Sequence, residues 1–171
     1  IRTPIIKNKL FFGASGVYNK RNGYYFNEYN NTSFDKQEQL TGNGYLKYLL
    51  SEKWTATLNF KFQNNKNNGA FPLVNSMEEA FDNPYKLEQN TIGLMKDNTM
   101  NTSLSIYHPG SKVNFTSQTA WQNNHRYYEQ PIDGDFSPFD IVRVANNYGD
   151  KWNNVKVFTQ EFKFTSPAST S

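Results

Sequence analysis

Residues 54–62 read Trp54-Thr55-Ala56-Thr57-Leu58-Asn59-Phe60-Lys61-Phe62. Every second residue, beginning with Trp54, is apolar, and every residue between them is polar. Because successive side chains of a strand point to opposite sides of its sheet, this alternation predicts a strand with one apolar and one polar face. The apolar face must contact a second sheet, as in a soluble β-sandwich, or lipid, as in an outer-membrane barrel.

Further segments alternate in the same way, although less regularly. Together with the first stretch they predict strands near 9–20, 34–49, 54–64, 99–107, 113–123 and 153–165. In the second of these strands, Gly42 and Gly44 lie on the apolar side, which favours bending or close packing of a neighbouring aromatic ring. The predicted fold class is all-β, an antiparallel up-and-down meander of about six strands.

Short and long connections alternate along the chain. Tight turns are predicted around 50–53 and 108–111, whereas long loops are predicted at 21–33, 65–98 and 124–152. Consecutive antiparallel strands place alternate connections at opposite ends, so all the long loops lie at one end. Short turns at one end and long loops at the other are typical of outer-membrane barrels, because a compact soluble domain rarely has two structureless loops of this length.

Two local signals stand out beside the strand pattern. Ser76 and Glu79 have the spacing of a helix capping box, and Asn83-Pro84 would end a helix, which predicts one or two helical turns near 76–82. Tyr48 and Trp54 flank a tight turn on the apolar face. They suit either a membrane interface or an ordinary cross-strand aromatic pair.

The composition excludes several classes of protein. The mean hydropathy of −0.81 is low for a compact core, but 16% of the residues are aromatic, which argues against disorder. There is no Cys, so disulfides, thiolate metal sites and a cysteine nucleophile are excluded. The net charge of +3 comes from scattered Lys residues, which favours a solvated surface over nucleic-acid binding. No apolar run exceeds three residues, so neither a transmembrane helix nor a signal-peptide core is predicted.

Three stretches carry a family resemblance. They are Pro4-Ile5-Ile6-Lys7-Asn8-Lys9-Leu10-Phe11-Phe12-Gly13, Asn67-Asn68-Gly69-Ala70-Phe71-Pro72-Leu73 and Trp152-Asn153-Asn154-Val155-Lys156-Val157-Phe158-Thr159-Gln160-Glu161-Phe162. These stretches resemble the barrel region of TonB-dependent outer-membrane receptors, most of all the iron-complex (ferric siderophore) receptors of Bacteroidota-type bacteria. The resemblance spans nearly the whole chain and includes no catalytic signature.

The resemblance implies a barrel of about 22 strands around an N-terminal plug, in the outer membrane of a Gram-negative bacterium. It also implies an iron–siderophore or similar chelate as ligand, outer-membrane lipid and the TonB complex as partners, and no enzymatic activity or cofactor. Six strands cannot close such a barrel. Because the plug and the TonB-contacting segment have no counterpart in this chain, which reads as an excised piece, we expect it to supply barrel wall and ligand-capturing loops.

Aromatic and basic residues cluster where strands meet the long loops. The candidate ligand-binding residues are Arg21, Tyr24, Tyr25, His125, Arg126, Tyr127 and Tyr128. Aromatic rings and an Arg could hold a catecholate or carboxylate chelate by stacking and charge-assisted hydrogen bonds. The alternative is that they are rim aromatics and loop-packing residues. A siderophore brings its own iron ligands, so no protein ligand to the metal is required.

The last long loop contains several acidic residues, and carboxylates are common calcium ligands. Asp133-Gly134-Asp135 and Asp140 do not have the spacing of an EF-hand loop, and the sequence predicts no metal site. No nucleophile–base or metal constellation points to an enzyme. The alternative function is a soluble β-rich carbohydrate-binding or adhesin module that uses exposed Tyr and Asn to hold glycan.

Overall fold

The computed structural model describes residues 1–69, 74–129, 132–144 and 153–167. In chain order the strands are β1 (Arg2–Ile6), β2 (Leu10–Arg21), β3 (Phe26–Asn27), β4 (Thr32–Ser33), β5 (Gln37–Leu49), β6 (Thr55–Asn68), β7 (Lys86–Leu87), β8 (Leu94–His108), β9 (Asn114–Tyr128), β10 (Ile132–Asp133), β11 (Arg143–Val144) and β12 (Asn153–Thr165). Helix α1 (Met77–Asp82) lies between β6 and β7. The main sheet has seven strands in the order β1-β2-β5-β6-β8-β9-β12, each antiparallel to its neighbours.

The all-β, antiparallel prediction is confirmed, but several strands extend into regions that the sequence assigned to loops. β6 continues to Asn68, β8 begins at Leu94 and β9 continues to Tyr128. Backbone pairing such as Asn67 with Met95 persists there although the side chains no longer alternate in polarity. Ladder hydrogen bonds need no apolar side chain, so polarity alone made these strands too short at the loop end.

One strand of the main sheet was missed. β1 carries Pro4 and is exposed along its whole length. It occupies an edge of the sheet, where a residue that cannot donate a ladder hydrogen bond is tolerated. The two short turns after β5 and β8, and the turn after β1, all lie at the end of the sheet opposite the long loops.

Directly paired residues lie on the same face of a sheet. The strand register therefore shows which residues of the neighbouring strands share a face with the apolar or with the polar residues of 54–62. We call the face that bears Phe60 the apolar face and the face that bears Lys61 the polar face. Two successive rows of the apolar face are Phe12, Leu46, Leu58, Leu104, Thr119 and Gln160, and then Ala14, Gly44, Phe60, Thr102, Trp121 and Phe158. The adjacent row of the polar face is Ser15, Asn43, Lys61, Asn101, Gln122 and Val157.

Glycine makes room for aromatic rings on both faces. A Cβ at Gly42 would clash with the ring of Phe62 on the apolar face, and a Cβ at Gly13 would clash with Tyr45 on the polar face. The close packing predicted for the β5 glycines is therefore confirmed at Gly42. At Gly44 a Cβ would meet only a backbone oxygen, at an ordinary distance of 3.6 Å.

The aromatics beside the first tight turn do not pair with each other. The ring of Trp54 stacks on His108, with centroids 4.3 Å apart, whereas Tyr48 lies 5.7 Å from the ammonium of Lys9. His108 falls within the tight turn predicted around 108–111, but in the structure it is half-buried and ends β8. The second tight turn thereby packs against the first.

The long loops are not structureless, which corrects the sequence-based expectation for the described parts of 21–33, 65–98 and 124–152. β4, β3 and β7 form a small sheet that joins the first two loops, and β10 and β11 form a hairpin in the third. The most deeply buried apolar side chains of the described residues are Phe34 and Leu87, at 1% and 2% exposure. The described chain therefore has its apolar core among the loops and not against the main sheet.

Helix α1 confirms the predicted helical turns. Its N-cap is Ser76, whose hydroxyl accepts a hydrogen bond from the Glu79 backbone N–H at 3.1 Å, and its C-cap is Asn83. No helix in the described part of the chain is long and apolar enough to cross a membrane.

Candidate functional site

The apolar face is uncovered at the centre of the sheet. Leu46, Leu58, Phe60 and Leu104 occupy interior strands, yet each is between 37% and 40% exposed. On the edge strand β12, Phe158, Phe162 and Phe164 are between 63% and 68% exposed. A sandwich would bury these side chains under a second sheet, and the described residues form no such layer.

This apolar surface is a band with two limits. It begins at Trp54, just before β6 and beside the tight turns, and along β6 it ends at Phe62. The next residues on the same face are Asn64 and Lys66. Eight rises of about 3.4 Å give about 27 Å along the strand, or about 21 Å at a tilt of about 40°. The apolar belt of outer-membrane barrels is about 25 Å tall, so the band has the height of a membrane core.

The polar face is concave. A cavity of about 580 Å³ lies on it, and its lining includes Arg2 of one edge strand as well as Val157 and Thr159 of the other. Six strand spacings of about 4.8 Å would separate these edges by about 29 Å in a flat sheet. The sheet is therefore curved into a trough that encloses the polar side chains.

The trough is lined by amides, hydroxyls and cations. Asn59, Asn101 and Gln122 contribute amides, Tyr45 contributes a phenol, and Arg2 and Lys61 are the charged side chains. No carboxylate lines this cavity, and neither cation forms an ion pair with any other described residue. Such a surface can attract an anion and hydrogen-bond a polar ligand.

Above the trough, Arg126 forms hydrogen bonds with a side chain of the neighbouring strand. Its Nε and Nη2 donate to Oδ2 of Asp97 on β8, at 3.0 and 2.6 Å, and Asn124 donates to Oδ1 of the same carboxylate at 3.1 Å. The predicted ligand-binding Arg thus has its charge balanced by a neighbour. No local sequence pattern predicts this pair, because its members are 29 residues apart and meet only through the register.

The candidate residues of the first loop form a separate group around Asp35. Arg21 lies 3.4 Å from one oxygen of this carboxylate, and the Tyr25 backbone N–H donates to the other at 2.9 Å. The Arg21 guanidinium also lies 4.4 Å from the Tyr24 ring centroid. Tyr24 itself is exposed, whereas Tyr25 packs on the ring of Tyr85 at 5.7 Å.

The candidates predicted in the third loop belong to strand β9 instead, and they alternate between its two faces. Arg126 and Tyr128 project from the polar face. His125 and Tyr127 project from the opposite face, where their rings stack at 4.6 Å above the apolar band. Arg21 and Tyr128 share a row but are separated by three strands, about 19 Å along the sheet. The seven predicted residues therefore do not form one site.

The described part of the third loop is organised by Asp135. Its Oδ2 accepts from the backbone N–H groups of Ile141 and Val142, at 2.6 and 3.0 Å, and its Oδ1 accepts from the Ser137 backbone and hydroxyl. The hydrogen bond from Val142 is the largest cause that lowers the pKa of Asp135, from 3.8 to about 2. Within the described ranges, no group of three or more acidic or His side chains is arranged to hold a metal ion.

This arrangement makes the order of the loop depend on ionised Asp135. Because the pKa is lower in the folded protein, its contribution is present above 3.8, the pKa of an unperturbed Asp, and is lost as the pH falls through about 2. We expect Asp135→Asn to speed backbone hydrogen exchange at Ile141 and Val142 at neutral pH, because an amide oxygen can serve only one of the two sets of donors. Hydrogen exchange with mass spectrometry measures this, and Asp82→Asn on α1 is the matched control. Equal exchange in both variants would contradict the assignment.

A search of protein-family models and a search of solved structures each found no match to the chain.

Proposed function

We propose that this chain is a wall segment of an outer-membrane β-barrel, in a TonB-dependent receptor that imports an iron–siderophore or a similar large chelate. The observation that carries the proposal is the two-faced curved sheet. Its apolar band faces outward and is uncovered, while its polar face is concave. A lipid-embedded barrel requires this combination, with hydrocarbon outside and water inside.

The position of the loops supports the same orientation. Tight turns lie at one end of the apolar band, and the strands extend past the other end before they reach the packed loops. In outer-membrane barrels the short turns are periplasmic and the long loops are extracellular. The loops that pack around Phe34 and Leu87 would then lie outside the cell, above the mouth of the trough.

The edges of the sheet support a larger barrel. β1 and β12 are the outer strands of the described sheet and do not pair with each other. Open edges in an apolar environment leave backbone groups unsatisfied, so further strands must pair with them. A closed barrel of about 22 strands, with outer-membrane lipid around it and the TonB complex below, would supply these partners.

The charge of the trough fits an anionic chelate. Arg2 and Lys61 line the cavity, and no carboxylate of the described residues lines it or forms an ion pair with either of them. The rim arginines are less suited to this role, because Arg21 and Arg126 already contact Asp35 and Asp97. We therefore propose that Arg2 and Lys61, rather than the rim arginines, contribute the positive field along the ligand's path.

A soluble carbohydrate-binding or adhesin module fits the same observations less well. It would use the amides of the polar face, but it would leave the apolar band in water. An exposed apolar patch of this extent marks an interaction surface or an aggregation hazard in a soluble protein. In an outer-membrane barrel, lipid would cover that surface.

Protease access in whole cells tests the orientation. A protease-recognition site inserted between Asn30 and Asn31 lies in the first long loop, and the same site inserted between Ser51 and Glu52 lies in a tight turn at the opposite end. In intact cells that express the full-length protein, we expect external protease to cut only the first insertion. The second should be cut after the outer membrane is permeabilised. The reverse pattern, or equal cleavage of both, would overturn the proposal.

A further inference from the structure

Asp133, in the third loop, is a buried carboxylate. The residue is 5% exposed, and its Oδ1 accepts hydrogen bonds from the backbone N–H groups of Asp135 and Phe136, at 3.1 and 2.8 Å. Its Oδ2 is buried and has no hydrogen-bond partner among the described residues. Burying a carboxylate oxygen that accepts no hydrogen bond costs free energy, so we expect this atom to bind a ligand.

A small cavity of about 60 Å³ lies beside this side chain, where the second and third loops meet. Its lining includes Asn90 and Thr91 from one loop and Asp133, Gly134 and Asp140 from the other. Asp140 accepts a hydrogen bond from Asn90 at 3.1 Å through Oδ1, and its Oδ2 accepts none from the residues that the structure describes. A cavity of this size can hold several waters or a partly hydrated ion.

We propose that this cavity binds a calcium ion, with Asp133 and Asp140 as its carboxylate ligands. Side-chain oxygens of Asn90 and Thr91, backbone oxygens of the lining residues and water can complete the coordination shell. An all-oxygen set that includes two carboxylates suits a hard cation. Calcium accepts irregular shells of six to eight oxygens, whereas magnesium demands near-ideal octahedral geometry.

The proposed ligands explain why sequence spacing did not reveal the site. An EF-hand draws its ligands from one continuous loop, whereas this cavity combines residues 90–91 with residues 133–140. The ion would join the second loop to the third and offset the charge of Asp133. With only two carboxylates, we expect a dissociation constant of about 10⁻⁴–10⁻³ M, in the range of extracellular calcium modules.

Calcium titration of the full-length protein tests this inference, which does not depend on the proposed transport function. Isothermal titration calorimetry of calcium-depleted protein with calcium chloride should detect binding. Asp133→Asn keeps an oxygen for the Asp135 and Phe136 N–H groups while it removes the charge. We expect this variant to bind calcium at least about tenfold more weakly. Asp140→Asn, at an exposed position, should also weaken binding, and Asp82→Asn makes the same change on distant α1 as a control.

A second readout separates loss of the ion from loss of the fold. In the presence of a chelator, Asp133→Asn should protect the third loop from proteolysis at least as well as wild type, because it removes the charge from a buried side chain whose Oδ2 has no hydrogen-bond partner among the described residues. Added calcium should then slow proteolysis of wild type only. The inference is overturned if wild type binds no calcium up to about 10 mM, well above the range of such modules. It is also overturned if all three variants bind calcium as wild type does.

Discussion

Phe60→Lys is expected to lower the free energy of unfolding in a bilayer by about 2–4 kcal/mol. Phe60 lies within the apolar band, one row from its centre, and is 40% exposed on the uncovered face. A lysine there must leave water for hydrocarbon or distort the bilayer around it. Urea titration of the full-length protein in lipid vesicles, followed by tryptophan fluorescence, measures the change.

Asn59 provides the matched control for this substitution. It is the preceding residue of the same strand, but its side chain lies in the polar trough. We expect Asn59→Lys to change stability by less than about 0.5 kcal/mol, as for an ordinary water-exposed position. If Phe60→Lys is equally mild, the apolar face does not contact lipid and the barrel proposal fails. If both variants lose several kcal/mol of unfolding free energy, the strand tolerates lysine on neither face. The effect at position 60 would then not show that the apolar face contacts lipid.

The faces of the sheet could be predicted from the sequence because they depend on local alternation. Trp54 to Phe62 determines which side of β6 is apolar, and pairing carries that choice to each neighbour in turn. The prediction became less accurate beyond Phe62, where both faces become polar. From Gln63 to Asn68 the strand continues by backbone hydrogen bonding alone, and composition there does not differ from that of a loop.

The interior of the loops could not be predicted, because its contacts are long-range. Asn27 is fully buried, and its side chain donates to the Gln89 carbonyl at 2.6 Å, across 62 residues. No local sequence pattern predicts such a pair. The same holds for Asp97 and Arg126, which the sequence placed in two unrelated segments. Asn-rich and aromatic-rich stretches were therefore interpreted as irregular loops, although the aromatic content was itself a signal that they could bury a core.

The candidate site illustrates the same limit. The sequence identified aromatic and basic residues near the loop end, but it could not divide His125 and Tyr127 from Arg126 and Tyr128, because it ended the strand too early. The alternation that identified β6 applies equally to 124–128. Once β9 is extended to Tyr128, the same rule assigns these side chains to opposite faces.

Phe34→Ala is expected to unfold the packed loops while the main sheet stays intact. The Phe34 side chain is 1% exposed and its ring occupies the space beside Gly69, whose positive φ of 60° lets the second loop turn close to it. Truncation of a buried Phe to Ala costs about 3–5 kcal/mol. Phe34 and Leu87 are the fully buried apolar side chains of the described residues, so we expect the loops to lose their protection when Phe34 is truncated.

Hydrogen exchange with mass spectrometry distinguishes this local collapse from global unfolding. In Phe34→Ala, the amides of Phe26 to Ser33 and of Lys86 to Leu87 should exchange at the rate of an unstructured chain. Those in the middle of β6 and β8 should keep the protection of the wild type. Tyr24→Ala removes an exposed aromatic ring from the same loop, and should leave all of these rates nearly unchanged. Loss of protection throughout β6 and β8 would show that loops and sheet fold as one unit, so the loop core would then be a requirement for the wall itself.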